Sequence, residues 1–256
     1  MHRTIPGWPR QLYCCGRPPK DAGIFRGQSG TNSRKAALKR MKYDLIVFDW
    51  DGTLLDSAGA IVQAIQASCR DLDLAVPTDA QARHVIGLGL EDAMRHAVPD
   101  LPAARTKDMV ERYRFHYLSG DHELTLFDGI PQVLNDLKAA GHLLAIATGK
   151  SRLGLNRALE HSGLGPLFQS SRCADECYSK PHPQMLDELM GEFGINADAT
   201  LMIGDTSHDL LMASNAGVAG LAVTYGAHPH DHLLEHNPLA CLHTVKELDH
   251  WLKSNA

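Results

Sequence analysis

The chain has 256 residues, of which 44% are hydrophobic and 21% are charged, and its formal net charge is −5. A chain of this length can bury a full hydrophobic core and a small accessory domain. No apolar stretch approaches the length that crosses a membrane and no secretory segment is recognisable, so we expect no membrane partner. The six cysteines form no CxxC pair, which favours reduced thiols and a cytoplasmic location.

Residues 1–40 differ in charge from the rest of the chain. They carry nine Lys or Arg and one acidic residue, Asp21, so the remainder has a net charge of −13. The segment is rich in Pro and Gly and lacks a helical or strand period, so we expect a basic, disordered extension. Three explanations of the segment are open: an upstream extension of the reading frame with Met41 as the true start, a functional basic tail, or a transit peptide. No binding motif accompanies the charge, so we expect no nucleic-acid partner.

The first predicted strand, residues 43–48, runs directly into two carboxylates, Asp49 and Asp51, and then into the turn residue Gly52. Residues i and i+2 of a strand point to the same face, so the two carboxylates are expected to converge beyond the strand's carboxyl end. In open α/β sheets, ligands bind at that end.

Two carboxylates in this arrangement suit phosphoryl transfer. One can attack phosphorus to form an aspartyl-phosphate, while the other gives a proton to the leaving oxygen and later takes one from water. Because both repel an anionic phosphate, such a site needs Mg²⁺ to offset the repulsion. A lone Asp at a strand end is as commonly a turn residue or a helix N-cap, but the whole string from Phe48 to Ser57 argues against that alternative.

Residues 57–128 are predicted to be helical, with no convincing strand among them. The predicted helices cover residues 57–67, 78–85, 90–98 and 102–118. A loop containing Gly87 and Gly89 separates the second helix from the third. This loop is either a mobile element over a substrate or a simple helix–helix turn.

Helices and strands alternate in the remainder of the chain. The predicted order is helix 130–140, strand 142–147, helix 152–161, strand 167–171, helix 182–193, strand 200–204, helix 207–216, strand 218–224 and helix 245–252. This alternation predicts an α/β fold with a doubly wound parallel sheet, the Rossmann-like class. The predicted domains are a catalytic core of residues 41–56 and 129–256 and an inserted helical domain of residues 57–128.

Polar residues that suit phosphate binding follow two of these elements. Thr148 and Gly149 end the strand at 142–147, where a hydroxyl and main-chain N–H groups can reach phosphate oxygens. Lys180 precedes the helix at 182–193 and can supply a positive charge to a transferring phosphoryl group.

An acidic pair follows the strand at 200–204. Asp205 ends that strand, and Asp209, four residues further on, falls on the same side of the next helix. In content and order, the four motifs resemble those of the haloacid dehalogenase-like hydrolase superfamily, and they cover nearly all of residues 43–253. The helical insert resembles the small α-helical cap of the phosphoglycolate phosphatase-like group.

The resemblance implies a role for each of these residues. Asp49 would be the nucleophile and Asp51 the general acid and base. The phosphate would be held by Thr148, Gly149 and Lys180, of which Thr148 and Lys180 also assist catalysis. Mg²⁺ would lie between Asp49, the main-chain carbonyl of Asp51, and Asp205, with Asp209 behind these ligands or reaching the ion through a water.

The expected activity is Mg²⁺-dependent hydrolysis of a small phosphomonoester, similar to phosphoglycolate, through an aspartyl-phosphate. A carboxylate substrate would need a cation, and the candidates are Arg83, His84, Arg95, Lys150 and Arg152. A sugar phosphomutase on the same core and a catalytically silent binding protein are the alternatives. The expected partner is a small phosphorylated metabolite, and the chain is expected to be a monomer or a homodimer.

Overall fold

Six parallel strands form one sheet in residues 42–256, the part of the chain that this computed structural model describes. The predicted disordered extension, residues 1–40, lies outside the described residues. The strands are β1 Leu45–Phe48, β2 Leu143–Thr148, β3 Ser170–Cys173, β4 Thr200–Gly204, β5 Ala219–Val223 and β6 Cys241–Leu242. Their order is β3-β2-β1-β4-β5-β6, so the direction of winding reverses between β1 and β4. The predicted parallel, doubly wound α/β fold is confirmed.

Helices precede or follow every strand of this sheet. They are α1 Ala58–Asp71, α2 Asp79–His84, α3 Leu90–Ala97, α4 Thr106–Gly120, α5 Ile130–Ala140, α6 Arg152–Ser162, α7 Gln184–Phe193, α8 Ser207–Asn215, α9 His230–Leu234 and α10 Val245–Asn255. No helix in the described part of the chain is both long enough and apolar enough to cross a membrane.

Both faces of the sheet are covered, because β1 is apolar on both sides. Ile46 and Phe48 pack into one hydrophobic cluster with α5, α6 and α10, whereas Leu45 and Val47 pack into a second cluster with α7 and α8. Alternate residues of a strand point to opposite faces, so a continuous apolar run is what a strand between two helical layers requires.

Helices α1 to α4 lie between β1 and α5 and have a hydrophobic cluster of their own. Ile65, Met94 and Met109 are among its fully buried members, and Ala227 joins it from the loop after β5. We call residues 57–128 the helical insert. Thr78 begins α2 with a capping box, in which its side chain accepts a hydrogen bond from the Gln81 N–H and the Gln81 side chain accepts one from the Thr78 N–H.

Two details of the predicted order differ from the structure. The strand expected at 167–171 begins later, as β3, because Pro166 lies in a 3₁₀ turn over Gly165–Leu167. Helix α9 and strand β6 were not predicted. They have five and two residues, too few to show a clear apolar period.

Candidate active site

Asp49 and Asp51 extend directly from the carboxyl end of β1. Asp49 continues the sheet, since its N–H donates to the carbonyl of Ile203 at 2.9 Å, and its side chain is fully buried. The chain then turns at Gly52, which has a positive φ of 83°. A Cβ at this position would overlap the carboxylate of Asp205, so a glycine is required for the two acidic segments to approach each other.

Lys180 lies between two of the predicted site carboxylates. Its Nζ is 2.6 Å from Asp49 Oδ1 and 2.6 Å from Asp209 Oδ1, and all three side chains are buried. Burial alone would lower the pKa of Lys180, but the charges of Asp209 and Asp49 more than offset that effect, so its pKa is above its usual range. Lys180 is therefore a fixed positive charge beside Asp49.

Asp205 and Asp209 are each held by groups of the protein. Asp205 Oδ1 accepts a hydrogen bond from the Thr53 hydroxyl at 2.8 Å, and Oδ2 accepts one from the Ala227 N–H at 2.7 Å. Asp209 Oδ2 accepts from the N–H and the hydroxyl of Thr206, at 3.1 and 2.7 Å, in the capping box that begins α8. These contacts leave little rotational freedom to either carboxylate.

The buried cluster carries more negative than positive charge. Asp49, Asp205 and Asp209 have carboxylate oxygens within 4.8 Å of one another, and with Lys180 the ionised groups sum to −2. Burial, reinforced by the charges of Asp209 and Asp205, holds the pKa of Asp49 well above its ordinary value. Burial and the charge of Asp209 also raise the pKa of Asp205.

One atom of this cluster has no partner. Asp49 Oδ2 is buried and receives no hydrogen bond from any of residues 42–256. A buried carboxylate oxygen is costly to leave unpaired, and hard divalent cations prefer oxygen ligands. The residues present, with three carboxyl groups to one lysine and an unpaired oxygen, fit Mg²⁺.

Asp51 is paired with Lys150, one of the five cations considered for a carboxylate substrate. Lys150 Nζ lies 3.0 Å from Asp51 Oδ1, and the Ser57 hydroxyl donates to the same oxygen at 2.7 Å. Lys150 also donates to the hydroxyl of Tyr117 at 3.1 Å, so it links Asp51 to helix α4 of the insert. Burial alone would lower the pKa of Lys150, and the nearby Asp51 charge is the main effect that instead raises it.

Thr148 and Gly149 lie at the carboxyl end of β2, beside β1. The Thr148 side chain is buried, and its hydroxyl accepts a hydrogen bond from the Lys150 N–H at 3.2 Å. A Cβ at Gly149 would lie 2.6 Å from the carbonyl oxygen of Gly87 and 2.5 Å from that of Leu88. The loop of the helical insert thus contacts the predicted phosphate-binding segment directly, and only a glycine leaves room for it.

A cavity of about 1030 Å³, open to solvent, lies between the insert and the carboxyl end of the sheet. Asp49, Asp51 and Gly149 line one side of it, and Ile65 and Tyr117 line another. Of the five cations considered for a carboxylate substrate, Lys150 lines the cavity, whereas Arg83, His84, Arg95 and Arg152 do not. Four other basic residues that line it, and that we did not predict, are Arg114, His122, Arg157 and His161.

The structure therefore brings Asp49, Asp51, Lys180, Asp205 and Asp209 to one end of the sheet, with Thr148 and Gly149 on the adjacent strand. Sequence reasoning missed four contributors, namely Thr53, Ser57, Tyr117 and the N–H of Ala227. Thr53 and Ser57 lie within the string around Asp51 and could have been considered. A main-chain N–H gives no signal in a sequence, and Tyr117 is in a helix whose orientation depends on the packing of the insert.

Comparison with known proteins gives the family. The family model described as haloacid dehalogenase-like hydrolase matches residues 46–223. A 5′-nucleotidase from Pseudomonas aeruginosa is 33% identical, over 84% of this chain and 99% of its own. A phosphoglycolate phosphatase from Colwellia psychrerythraea is 30% identical, over 82% of this chain and 97% of its own. The crystal structure of a predicted phosphoglycolate phosphatase from Haemophilus somnus matches this structure with a TM-score of 0.73 and 25% sequence identity. The match covers 81% of this chain and 97% of that chain.

The chain belongs to the haloacid dehalogenase-like hydrolases, which confirms the resemblance deduced from its motifs. Within that family it is a phosphatase related to the phosphoglycolate phosphatases.

Proposed function

We propose that this phosphatase hydrolyses a small phosphomonoester with the help of Mg²⁺ and through an aspartyl-phosphate on Asp49. The proposal rests mainly on the environment of the Asp49 side chain. One of its oxygens is held by Lys180 at 2.6 Å, and the other is buried with no partner among residues 42–256. A carboxylate fixed in this way, at the wall of a cavity, suits attack on phosphorus.

In the proposed reaction, Asp49 attacks the phosphorus atom and Asp51 protonates the oxygen of the leaving group. Asp51 then takes a proton from the water that attacks the aspartyl-phosphate. Lys180 gives positive charge to the transferring group, and Thr148 and Gly149 hold its oxygens. The hydrogen bond from Ser57 to Asp51, 2.7 Å long, supports this role by fixing the carboxyl group.

The proposed ligands of Mg²⁺ are Asp49, Asp205 and the main-chain carbonyl of Asp51, with Asp209 behind them. When bound, Mg²⁺ would supply the positive charge that allows an anionic phosphate to approach the carboxylate of Asp49. The contacts of Asp205 with Thr53 and Ala227 support the assignment, because outer contacts orient metal-binding carboxylates.

Lys150 is proposed to recognise the anionic end of the substrate. In the structure it is shared between Asp51 and Tyr117, at 3.0 and 3.1 Å. When Asp51 carries the proton destined for the leaving group, its ion pair with Lys150 is lost, and the lysine can then face a substrate carboxylate or phosphate. This role favours phosphoglycolate, and the relative from Colwellia psychrerythraea agrees with it.

The volume of the cavity favours a second candidate substrate, a 5′-nucleotide. Cavities of about 300–1,000 Å³ hold ligands much larger than phosphoglycolate, and this one has about 1030 Å³. Its wall includes Tyr113 and Tyr117, whose stacked rings have centroids 5.6 Å apart and could receive a nucleobase. The relative from Pseudomonas aeruginosa is described as a 5′-nucleotidase.

The test is phosphate release from a panel of 2-phosphoglycolate, mononucleotides, glucose 1-phosphate and pyrophosphate, with Mg²⁺ and with a chelator. We expect activity that needs Mg²⁺, that is abolished in Asp49→Asn, and that has its highest kcat/KM for phosphoglycolate. A preference for mononucleotides would select the second candidate, and isomerisation of glucose 1-phosphate without net phosphate release would select the phosphomutase. Equal release with chelator and with Mg²⁺ would contradict the metal requirement.

A further inference from the structure

A cluster of imidazoles lies outside the carboxylate site, where the helical insert meets the core. His84 ends helix α2 of the insert, His228 precedes α9, and His232 lies within α9. The ring centroids are 5.3 Å apart for His84 and His228, 5.7 Å for His84 and His232, and 5.4 Å for His228 and His232. The three rings thus form a nearly equilateral triangle.

The dimensions of this triangle match those of a metal site. Each ring offers a nitrogen, and the three nitrogens lie within 4.8 Å of one another. With zinc–nitrogen bonds of about 2.0–2.1 Å at tetrahedral angles, the ring centroids of three histidine ligands would be roughly 5 Å apart. Small rotations of the side chains would therefore bring the three nitrogens to one ion.

His232 has a nitrogen available for such a bond. Its Nδ1 lies 3.4 Å from Glu235 Oε2, close to a carboxylate. Its Nε2 is buried and has no hydrogen-bond partner within the part of the chain that the structure describes. Histidine ligands of metals commonly donate their other ring N–H to a carboxylate, and Glu235 lies near enough to receive such a bond after a small rotation.

We propose that His84, His228 and His232 bind a first-row transition metal such as Zn²⁺, at a site separate from the carboxylates. Imidazole ligands suit zinc, copper and nickel, whereas Mg²⁺ prefers oxygen, so the two sites would select different ions. The side chain of His84 is exposed, which gives an ion access from solvent.

Binding requires one rearrangement within the cluster. His228 Nδ1 accepts a hydrogen bond from the Ser207 N–H at 3.0 Å, and its Nε2 faces the carbonyl of His84 at 3.2 Å. For one nitrogen to bind the metal, the ring must carry its hydrogen on the other, so the bond with Ser207 is lost. One neutral hydrogen bond is then exchanged for coordinate bonds from three rings if Nδ1 is the ligand, and two if it is Nε2, because the contact with the His84 carbonyl is then lost as well.

An occupied site would connect the helical insert to the core. His84 directly precedes the loop whose Gly87 and Leu88 carbonyls contact Gly149, whereas His228 and His232 belong to the core. The metal would therefore hold this loop against the carboxyl end of the sheet. The protection of the loop amides from hydrogen exchange is a direct measure of that effect.

The test is a calorimetric titration of the full chain, freed of metals with a chelator, with ZnCl₂ in excess Mg²⁺. We expect one site, weakened at least about 100-fold in His84→Ala and in His232→Ala, because changes to outer contacts alone cost 10–100-fold. His250→Ala, which removes an exposed histidine of α10, is the matched control and should bind as the unmodified chain does.

Hydrogen exchange adds a readout that is independent of affinity. Zn²⁺ should slow exchange of the amides of residues 85–89 in the unmodified chain and in His250→Ala, but not in His84→Ala. No zinc binding in excess Mg²⁺, or equal affinity in His84→Ala, would overturn the proposal. Binding lost in His232→Ala but retained in His84→Ala would place the ion on α9 with Glu235 and His236 instead, and would also overturn it.

Discussion

Replacing Asp205 with Asn should stabilise the metal-free protein while it abolishes activity. Burial, reinforced by the carboxylate of Asp209, raises the pKa of Asp205 from an ordinary value of 3.8 to about 7. Because this pKa is higher in the folded state than in the unfolded state, ionisation of Asp205 destabilises the fold, whereas the protonated group does not. The resulting penalty on the folded state is absent below about pH 4, grows between pH 4 and 7, and is complete above pH 7.

The size of the effect follows from this difference. At about 1.4 kcal/mol per pKa unit, an ionised Asp205 lowers the free energy of unfolding by roughly 4 kcal/mol at neutral pH. Asparagine removes the charge, but one of its two polar atoms must now donate, so a hydrogen bond from Thr53 or Ala227 is weakened at a cost of about 1 kcal/mol. Asp49 and Asp209 share the excess charge, so removing one carboxylate does not recover the full penalty. We therefore expect the free energy of unfolding to rise by about 1–3 kcal/mol.

The assay is thermal unfolding in a chelating buffer at pH 7.5 and at pH 5, with Mg²⁺ added in parallel samples. In the chelating buffer at pH 7.5, Asp205→Asn should unfold about 2–10 °C above the unmodified chain, and the difference should shrink at pH 5. Mg²⁺ should stabilise the unmodified chain more than the variant. A variant that is less stable than the unmodified chain in chelator would refute the reasoning, since the carboxylate would then stabilise the fold without a metal.

Three further substitutions test other contacts of the site. Lys180→Met leaves two buried carboxylates without their cation, so urea unfolding should show a free energy of unfolding lower by about 3–5 kcal/mol. An unchanged urea midpoint would mean that the two ion pairs do not contribute to stability. Gly149→Ala should lower kcat/KM about 100-fold by displacing the loop carbonyl of Leu88, and unchanged kinetics would show that this contact is not used in turnover. Lys150→Met should raise KM for phosphoglycolate at least about tenfold, with little change for an aryl phosphate whose aryl group carries no charge. Equal effects on both substrates would argue against substrate recognition by Lys150.

The fold was largely predictable because its signals are local. The apolar run of β1, the alternation of helices and strands, and the turn at Gly52 each depend on neighbouring residues, and the parallel sheet follows from the alternation. Helix α9 and strand β6 were not predictable in the same way, since so few residues carry too little periodicity.

The site was predictable where its residues follow strands and not where they meet across the insert. Asp49 and Asp205 both end strands that pair directly in the sheet, so topology alone brings them together. The contact of Tyr117 with Lys150, and the approach of His84 to His228, depend on how the insert packs on the core. A pattern of residue types in one sequence does not contain that information. The roles of the site residues and the domain boundaries remain predictions.

The central claim, that Asp49 is the nucleophile, is tested most directly by the stereochemistry at phosphorus. The measurement uses a phosphorothioate analogue of the substrate, made chiral at phosphorus with one oxygen isotope and hydrolysed in water that carries another, so that the released thiophosphate is itself chiral. Attack by Asp49 followed by attack of water gives two in-line displacements, so we predict net retention of configuration, with the label from water in the released thiophosphate. Net inversion would mean direct attack by water in a single displacement and would contradict the assignment of Asp49.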